Sequence, residues 1–298
     1  MAVQQGREDV VLVTGCSDGG IGAELCKAFH AAGCTVYATA RRVEAMAGLR
    51  EAGIRTLSLD VTSDESVKAA VAAVLAEAGR IDILVNNAGI GLVAPLAEVD
   101  HKKAKEVFDA NYWGTLRMVQ AVAPHMAARR SGTIANIGSV VGYMCTPWGA
   151  IYSSSKAAVH NMTDALRLEL QPFGVKVVLV APGAVTSNIG ANNLERFDDQ
   201  FSMYAPFAAV IRQRASISQG SNSMPTDQFA RGVVQQLLRP RPPRHFLLGG
   251  FVPLIQFALW WPMWLRDRVM SKTFKTDVVL PPAPSAAPAG PVGDKKAD

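Results

Sequence analysis

Short apolar runs rich in Val, Ile, Leu and Thr alternate along this chain with long stretches whose apolar residues recur at three-and-four spacing. The short runs cover residues 10–13, 35–39, 55–59, 82–85, 132–137, 175–180 and 245–248, and each is too brief for a helix, so seven strands are expected. Between them, stretches such as 21–32, 64–78, 102–129 and 153–172 place their apolar residues on one helical face. Strands alternating with helices close into a parallel sheet whose crossovers cover both faces, so the fold class is α/β, doubly wound, within residues 1–250.

Two segments break this rhythm. Residues 185–225 mix Asn, Ser, Met and Phe with no period. They follow the sixth strand, at the carboxyl edge where open sheets bind ligands, and read as a substrate loop. Residues 251–265 are fifteen positions without a charge and contain Trp260, Trp261 and Trp264. As one straight helix they would measure about 22 Å, short of a hydrocarbon core of about 30 Å, and Gln256 and Pro262 interrupt them further. Basic residues flank the segment at 239–245 and 266–275, which suits an element lying in a membrane interface through 251–275. Packing against the domain or against a second subunit is the alternative. The extension is placed at 251–277, followed by a disordered tail at 278–298 whose PPAPSAAPAGP stretch buries too little apolar surface to order itself.

A length of 298 residues with 49% hydrophobic and 18% charged positions fits one large α/β domain or two small ones and excludes a coiled coil, a collagen or bulk disorder. The net charge of +5 hints at a polyanion partner until it is located. From Arg239 onward there are nine Lys and Arg against four Asp, so the body is balanced and no nucleic-acid partner is expected. Cys16, Cys26, Cys34 and Cys145 form no CxxC pair and the five His are scattered, so neither a disulfide framework nor a metal site is expected. Residues 1–9 are polar, with no signal peptide, which points to a reducing, cytosol-facing location.

The candidate chemistry lies at the strand ends. The first strand runs into Thr14-Gly15-Cys16-Ser17-Asp18-Gly19-Gly20-Ile21-Gly22 and then a helix. Glycines there let a pyrophosphate reach the N–H groups of a helix N-terminus with no Cβ between. Asp60 follows the third strand, Asn86-Asn87-Ala88-Gly89 the fourth, Ser139 the fifth, and Pro182-Gly183 the sixth, with Val185 and Thr186 just beyond. Asn111 sits within a long helix, and Tyr152 and Lys156 lie one helical turn apart on a common face. An ammonium beside a phenol favours the phenolate, bringing a group of ordinary pKa about 10 toward use as a general acid. After the second strand, Arg41 and Arg42 stand where an acidic residue would accept ribose hydroxyls, and Arg suits a 2′-phosphate instead.

In this order and context the motifs resemble those of the short-chain dehydrogenase/reductase family over residues 9–250. The resemblance implies a Rossmann-type domain in which Ser139, Tyr152, Lys156 and Asn111 are catalytic: Ser139 bonds the substrate oxygen, Lys156 also holds the nicotinamide ribose, and Asn111 keeps a water in a proton relay. Cofactor contacts are then expected from Gly15, Ser17, Gly20, Ile21 and Gly22 of the first turn. Arg41, Arg42, Asp60, Asn87, Ala88 and Gly89 follow in the middle of the domain, and Tyr152, Lys156, Pro182, Gly183, Val185 and Thr186 at its far side. With Arg41 and no acid, NADPH is the expected cofactor.

One departure is that four residues, Cys16 to Gly19, stand between Thr14-Gly15 and Gly20-Ile21-Gly22, one more than the family pattern. The extra residue is expected to bulge outward and carry Asp18 into water, away from phosphate. The same stretch reads Gly15-Cys-Ser17-Asp-Gly19, a GxSxG that would suit a lipase nucleophile given a downstream acid and His, with His160 or His245 as the choices.

Arg41-Arg42, the PFGV near 172, and an aromatic tail through Trp264, Lys272, Phe274 and Lys275 further resemble the NADPH-dependent 1-acyldihydroxyacetone phosphate reductases of fungi and plants. That resemblance implies reduction of an acylated phosphate ketone to 1-acylglycerol 3-phosphate on the cytosolic face of the endoplasmic reticulum or a lipid droplet, with cytoplasmic as the alternative. Arg196, Arg212 and Arg214 are candidates to meet the phosphate. Lys295-Lys296 near the end resembles a retrieval signal. The alternatives are a retinoid, steroid or other apolar ketone or alcohol, or a lipid-surface protein with secondary lipase activity or none. A second copy of the chain is an optional partner.

Overall fold

The computed structural model describes residues 9–198 and 200–279. Seven strands, β1 (Val10–Thr14), β2 (Thr35–Ala40), β3 (Arg55–Ser58), β4 (Ile83–Asn86), β5 (Gly132–Ile137), β6 (Val175–Pro182) and β7 (His245–Leu248), pair in the order β3-β2-β1-β4-β5-β6-β7. Every pairing is parallel. The chain winds outward in one direction through β1, β2 and β3, then restarts at β4 on the other side of β1. Adjacent crossovers therefore leave from opposite faces between β1 and β4, opening a crevice at their carboxyl ends.

The helices are α1 (Ile21–Ala31), α2 (Ala47–Glu51), α3 (Asp64–Ala78), α4 (His101–Phe108), α5 (Gly114–Ala128), α6 (Ala150–Leu170), α7 (Asn188–Glu195), α8 (Ala208–Ala215), α9 (Thr226–Leu237), α10 (Val252–Ala258) and α11 (Met263–Thr273). Side-chain alternation along the strands splits the core in two. Val11 and Val13 of β1 pack with Leu25 and Phe29 of α1 and Phe229 and Val233 of α9 on one face. Val10 and Leu12 pack with Val67 and Val71 of α3 and Met118 and Val122 of α5 on the other. Both faces of β1 and β4 are buried, which is why these strands read as unbroken apolar runs.

All seven expected strands form within a residue or two of their expected limits. Three segments differ. The stretch expected as one helix over 102–129 is interrupted by a π-turn at Asp109–Trp113 that joins α4 to α5. The expected loop at 185–225 contains α7 and α8. The apolar stretch at 251–265 breaks at Pro262 into α10 and α11, because proline is tolerated at a helix start and not in a helix interior.

These last segments meet in a third apolar cluster. Trp148, Val93, Ile211 and Ala215 are buried there with Phe274, and Tyr204, Phe207 and Met270 pack around them. The Trp148 indole N–H donates to the Phe274 carbonyl at 3.4 Å. The C-terminal extension is thus anchored beneath the segment that follows β6. Its opposite side stays exposed, with Leu254, Phe257, Trp260, Met263 and Trp264 each more than half accessible. No helix among the described residues is long and apolar enough to cross a membrane. The expectation of a disordered tail falls, from residue 280 on, outside the described residues, as does Lys295-Lys296.

Candidate active site

The turn after β1 is built for close approach. Gly15 has φ +73°, and a Cβ there would lie 2.7 Å from the Ala88 Cα; a Cβ on Gly22 would run into the Gly15 carbonyl and the Asn87 amide. Asn87 locks the turn by donating from Nδ2 to the carbonyls of Thr14 (2.9 Å) and Gly15 (3.0 Å). The Thr14 hydroxyl in return accepts from the N–H groups of Asn87 and Ala88, each at 3.0 Å. Gly20 caps α1 with no side chain on the helix N–H groups, leaving them to face a ligand. An N-terminus kept bare and lined by glycines, beside the β1/β4 crevice, fits a dinucleotide pyrophosphate.

The extra residue of this turn is exposed, as expected, yet Asp18 is not left to water. Its Oδ2 accepts from the Gly48 N–H at 2.9 Å, its own N–H donates to the Ala45 carbonyl, and its carbonyl accepts from the Asn188 side chain at 2.7 Å. The bulge is therefore pinned to the segment after β2 and to α7. That contact holds the carboxylate away from the glycine turn.

Arg41 and Arg42 are exposed at the carboxyl end of β2, and neither pairs with a carboxylate among the described residues. Asp60 spends Oδ1 on the Thr62 N–H (2.9 Å) and hydroxyl (2.7 Å), shaping the turn after β3. On the far side, Gly183 donates to the Leu248 carbonyl, Val185 bridges Met224, and Thr186 donates to the Met224 carbonyl. Pro182, Gly183, Val185 and Thr186 thus line the same carboxyl edge, beyond β6.

The reacting groups converge from three elements. Asn111 sits in the π-turn, 1% exposed, accepting from the Ile90 N–H (2.8 Å) and donating to the Ile90 carbonyl (3.0 Å) and the Ser155 hydroxyl (2.9 Å). A π-turn inserts a residue into the helical repeat and turns this one side chain inward. Ser155 passes the link on to the Tyr152 carbonyl at 2.7 Å. A Cβ on Gly89 would meet Asn111 Oδ1 at 3.0 Å and Lys156 Nζ at 3.5 Å, so the fourth-strand motif, the π-turn and α6 close on one spot. Lys156 is buried; its Nζ donates to the Ile137 carbonyl at 2.8 Å and lies 5.8 Å from the centre of the Tyr152 ring. Ser139 Oγ accepts the Val141 N–H at 3.4 Å and is close enough to the Tyr152 phenol to lower its pKa by hydrogen bonding.

The electrostatics differ from the sequence expectation. Burial raises the Tyr152 pKa above 10, and this outweighs the lowering by the Ser139 hydrogen bond and by a guanidinium, Arg214. Lys156 is not a cation that pulls the phenol down here; burial instead lowers its own pKa to about 8. In the protein without ligand, Tyr152 is a held proton donor.

Three further residues belong to the site: His160, which the sequence offered only for a hydrolase, Arg214, offered for a phosphate, and Ser155, which it did not single out. His160, one turn beyond Lys156, accepts the Ser139 N–H at Nε2 (3.2 Å), and Cβ atoms on Gly138 or Gly142 would collide with its ring. Burial, aided by the Lys156 charge, lowers its pKa to about 4, so it stays neutral. Ser155 links Asn111 to α6. Arg214 comes in from α8 to Thr146, ahead of α6. The hydrolase alternative loses its partners: His160 is committed to Ser139 and His245 to Asp164 at 2.7 Å, so neither serves Ser17.

The short chain dehydrogenase family model matches residues 9–197, from β1 through α7. The chain belongs to the short-chain dehydrogenase family. It is 41% identical over 271 residues to a short-chain dehydrogenase of Penicillium ochrochloron, covering 88% of this chain and 96% of that protein. It is 36% identical over 274 residues to an NADPH-dependent 1-acyldihydroxyacetone phosphate reductase of Schizosaccharomyces pombe, covering 85% and 92%. A crystal structure of a short-chain dehydrogenase from Streptomyces avermitilis superposes with a TM-score of 0.76 at 30% identity, covering 92% of this chain and 98% of that one. This short-chain dehydrogenase is an oxidoreductase of a family that binds NAD or NADP.

Proposed function

We propose that the protein uses NADPH to reduce the ketone of a lipid-like substrate, with 1-acyldihydroxyacetone phosphate going to 1-acylglycerol 3-phosphate. The observation that carries the chemistry is the convergence of Lys156 Nζ and Asn111 Oδ1 on Gly89, with Lys156 Nζ 5.8 Å from the centre of the Tyr152 ring. Two observations favour NADPH: unpaired Arg41 and Arg42 at the end of β2, and the NADPH dependence named for the Schizosaccharomyces pombe relative. The same relative, and an exposed apolar face beside the substrate segment, favour an acylated substrate.

NADPH held at the Gly15–Gly22 turn, with Arg41 at its 2′-phosphate, would supply the hydride for the carbonyl carbon. Tyr152 gives its phenolic proton to the carbonyl oxygen, and the Ser139 hydroxyl donates a hydrogen bond to that oxygen as charge builds on it. His160 fixes Ser139 by accepting its backbone N–H, and the Val141 N–H holds the Ser139 oxygen at 3.4 Å, leaving the hydroxyl hydrogen to donate. Lys156, 5.8 Å from the centre of the Tyr152 ring and with a pKa of about 8, is close to proton exchange at neutral pH. Asn111 and Ser155 brace α6 against the strand-four motif, holding Tyr152 at the cleft.

The proposal carries a location with it: α10 and α11 lie on a membrane or lipid-droplet surface, at the endoplasmic reticulum, where such a substrate resides. The deciding experiment follows NADPH oxidation with a panel containing 1-acyldihydroxyacetone phosphate, the same ketone without phosphate, and retinoid and steroid ketones. The acylated phosphate should give the highest kcat/KM, and Tyr152→Phe should lower it at least a thousandfold while NADPH still binds. A preference for a retinoid or steroid ketone overturns the substrate; undiminished turnover by Tyr152→Phe overturns the mechanism.

A further inference from the structure

The segment after β6 brings three arginines toward the substrate side, and the fold gives them different surroundings. Arg196 is paired with Glu106 at 2.9 Å. Arg212 is exposed, with its guanidinium 6.0 Å over the Phe197 ring. Arg214, on the same helix as the buried Ile211 and Ala215, is itself half-buried. Its Nε and Nη2 both bond one acceptor, the Thr146 hydroxyl, at 3.0 and 2.9 Å, and no carboxylate pairs with it among the described residues. A guanidinium offers five N–H donors in a planar fork, and most of these are left without an acceptor.

The position of this charge is specific. Arg214 Nη2 occupies the space that Gly149 leaves by lacking a side chain, 3.2 Å from where a Cβ would stand. Gly149 precedes the first turn of α6, which carries Tyr152. The Arg214 charge is close enough to act on the Tyr152 phenol. A cation drawn out of water without an anion costs stability unless a ligand supplies the counter-charge. Such a charge also opposes the α6 dipole, whose positive end it faces, so an anion between the two would be favoured twice.

We propose that Arg214 is the anion-recognising residue of the substrate site: it receives the phosphate of a ketone whose carbonyl lies at Tyr152 and Ser139. This deepens the proposed function and rests on it for the identity of the phosphate ester. A planar fork meets phosphate oxygens through paired N–H groups, with Thr146 holding the fork from the other side. Arg196 and Arg212 then have no part in recognition.

The test compares wild type, Arg214→Gln, Arg214→Lys and the surface control Arg196→Gln on 1-acyldihydroxyacetone phosphate and on the same acylated ketone without its phosphate. Arg214→Gln should raise KM for the phosphorylated ketone at least thirtyfold more than KM for the other, any effect of its charge on the Tyr152 phenol appearing in kcat on both ketones alike. Arg214→Lys should fall between, and Arg196→Gln should match wild type. Inorganic phosphate should inhibit wild type competitively against the ketone and lose that effect in Arg214→Gln. Equal rises in KM for both ketones would make Arg214 a partner of the phenolate or a packing residue and overturn the proposal, as would no rise for either. If the glutamine variant folds poorly, absence of phosphate inhibition in wild type is sufficient to overturn it. Should wild type reject the acylated phosphate altogether, the substrate reading falls, and phosphate inhibition of whichever ketone is accepted still decides the role of Arg214.

Discussion

Tyr152, Lys156 and His160 follow one another at one-turn intervals on α6, and burial acts on the three in opposite senses. It raises the phenol and lowers the ammonium and the imidazole, always against the charged form. For His160 the consequence is a pH-dependent stability. Its folded pKa is about 4 against about 6.5 unfolded, so between these values the unfolded chain binds a proton that the folded one does not. Stability contributed by the neutral ring is complete above about pH 6.5 and is lost as pH falls toward 4, by roughly 3 kcal/mol if the full difference holds. Denaturant midpoints at pH 7 and pH 4.5 should show this loss in wild type and a smaller one in His160→Gln; identical slopes would refute the assignment. At this scale the sequence was informative where a residue carried its own spacing. Tyr152 and Lys156 shared a helix face by number alone, whereas the partner of His160 is a backbone N–H of Ser139, which only the fold brings near. The depressed phenol expected from Lys156 failed for a related reason: spacing supplies the neighbour and not the desolvation.

Elements were legible in proportion to how much of their surface is buried. β1 and β4 are covered on both faces, so their residues are uniformly apolar and their limits plain. The π-turn at Asp109–Trp113 left no mark, since one extra residue within 28 shifts an apolar stripe by less than the eye can follow. The helices α7 and α8 are eight residues each, and α8 packs Ile211 and Ala215 into the cluster around Trp148, a tertiary contact that local pattern does not encode. In the C-terminal extension one face packs on the domain and the other is exposed. Val252, Ala258 and Phe274 pack inward, while Phe257, Trp260 and Trp264 are 64%, 89% and 66% exposed. Deleting the whole segment would remove Phe274 from the third cluster, so the interface is better tested on the outer face alone. Phe257→Ser, Trp260→Ser and Trp264→Ser together should abolish flotation with liposomes containing anionic lipid and leave activity on a water-soluble ketone unchanged. Flotation of the triple variant at the wild-type level would leave the membrane proposal without support.

For the whole molecule, the strand order sets one crevice between β1 and β4, and the bare N-terminus of α1, the Asn87 clamp and the α6 side chains all face it. A ligand seated there touches elements from both halves of the sheet and adds its binding energy to the stability of the entire fold. NADPH at a hundredfold excess over its Kd should add about 2.7 kcal/mol, which for a chain of this size raises Tm by about 5 °C. NADH at the same concentration should add less, by an amount set by the ratio of the two affinities. The proposed reading assigns that difference to Arg41 and Arg42, which are exposed and without carboxylate partners among the described residues, so Arg41→Ala combined with Arg42→Ala should leave the unliganded Tm nearly unchanged. With both arginines gone the two cofactors should shift Tm alike. Equal shifts already in wild type would mean that the 2′-phosphate is not read, and the NADPH assignment would then lose the only support that comes from this chain's own residues.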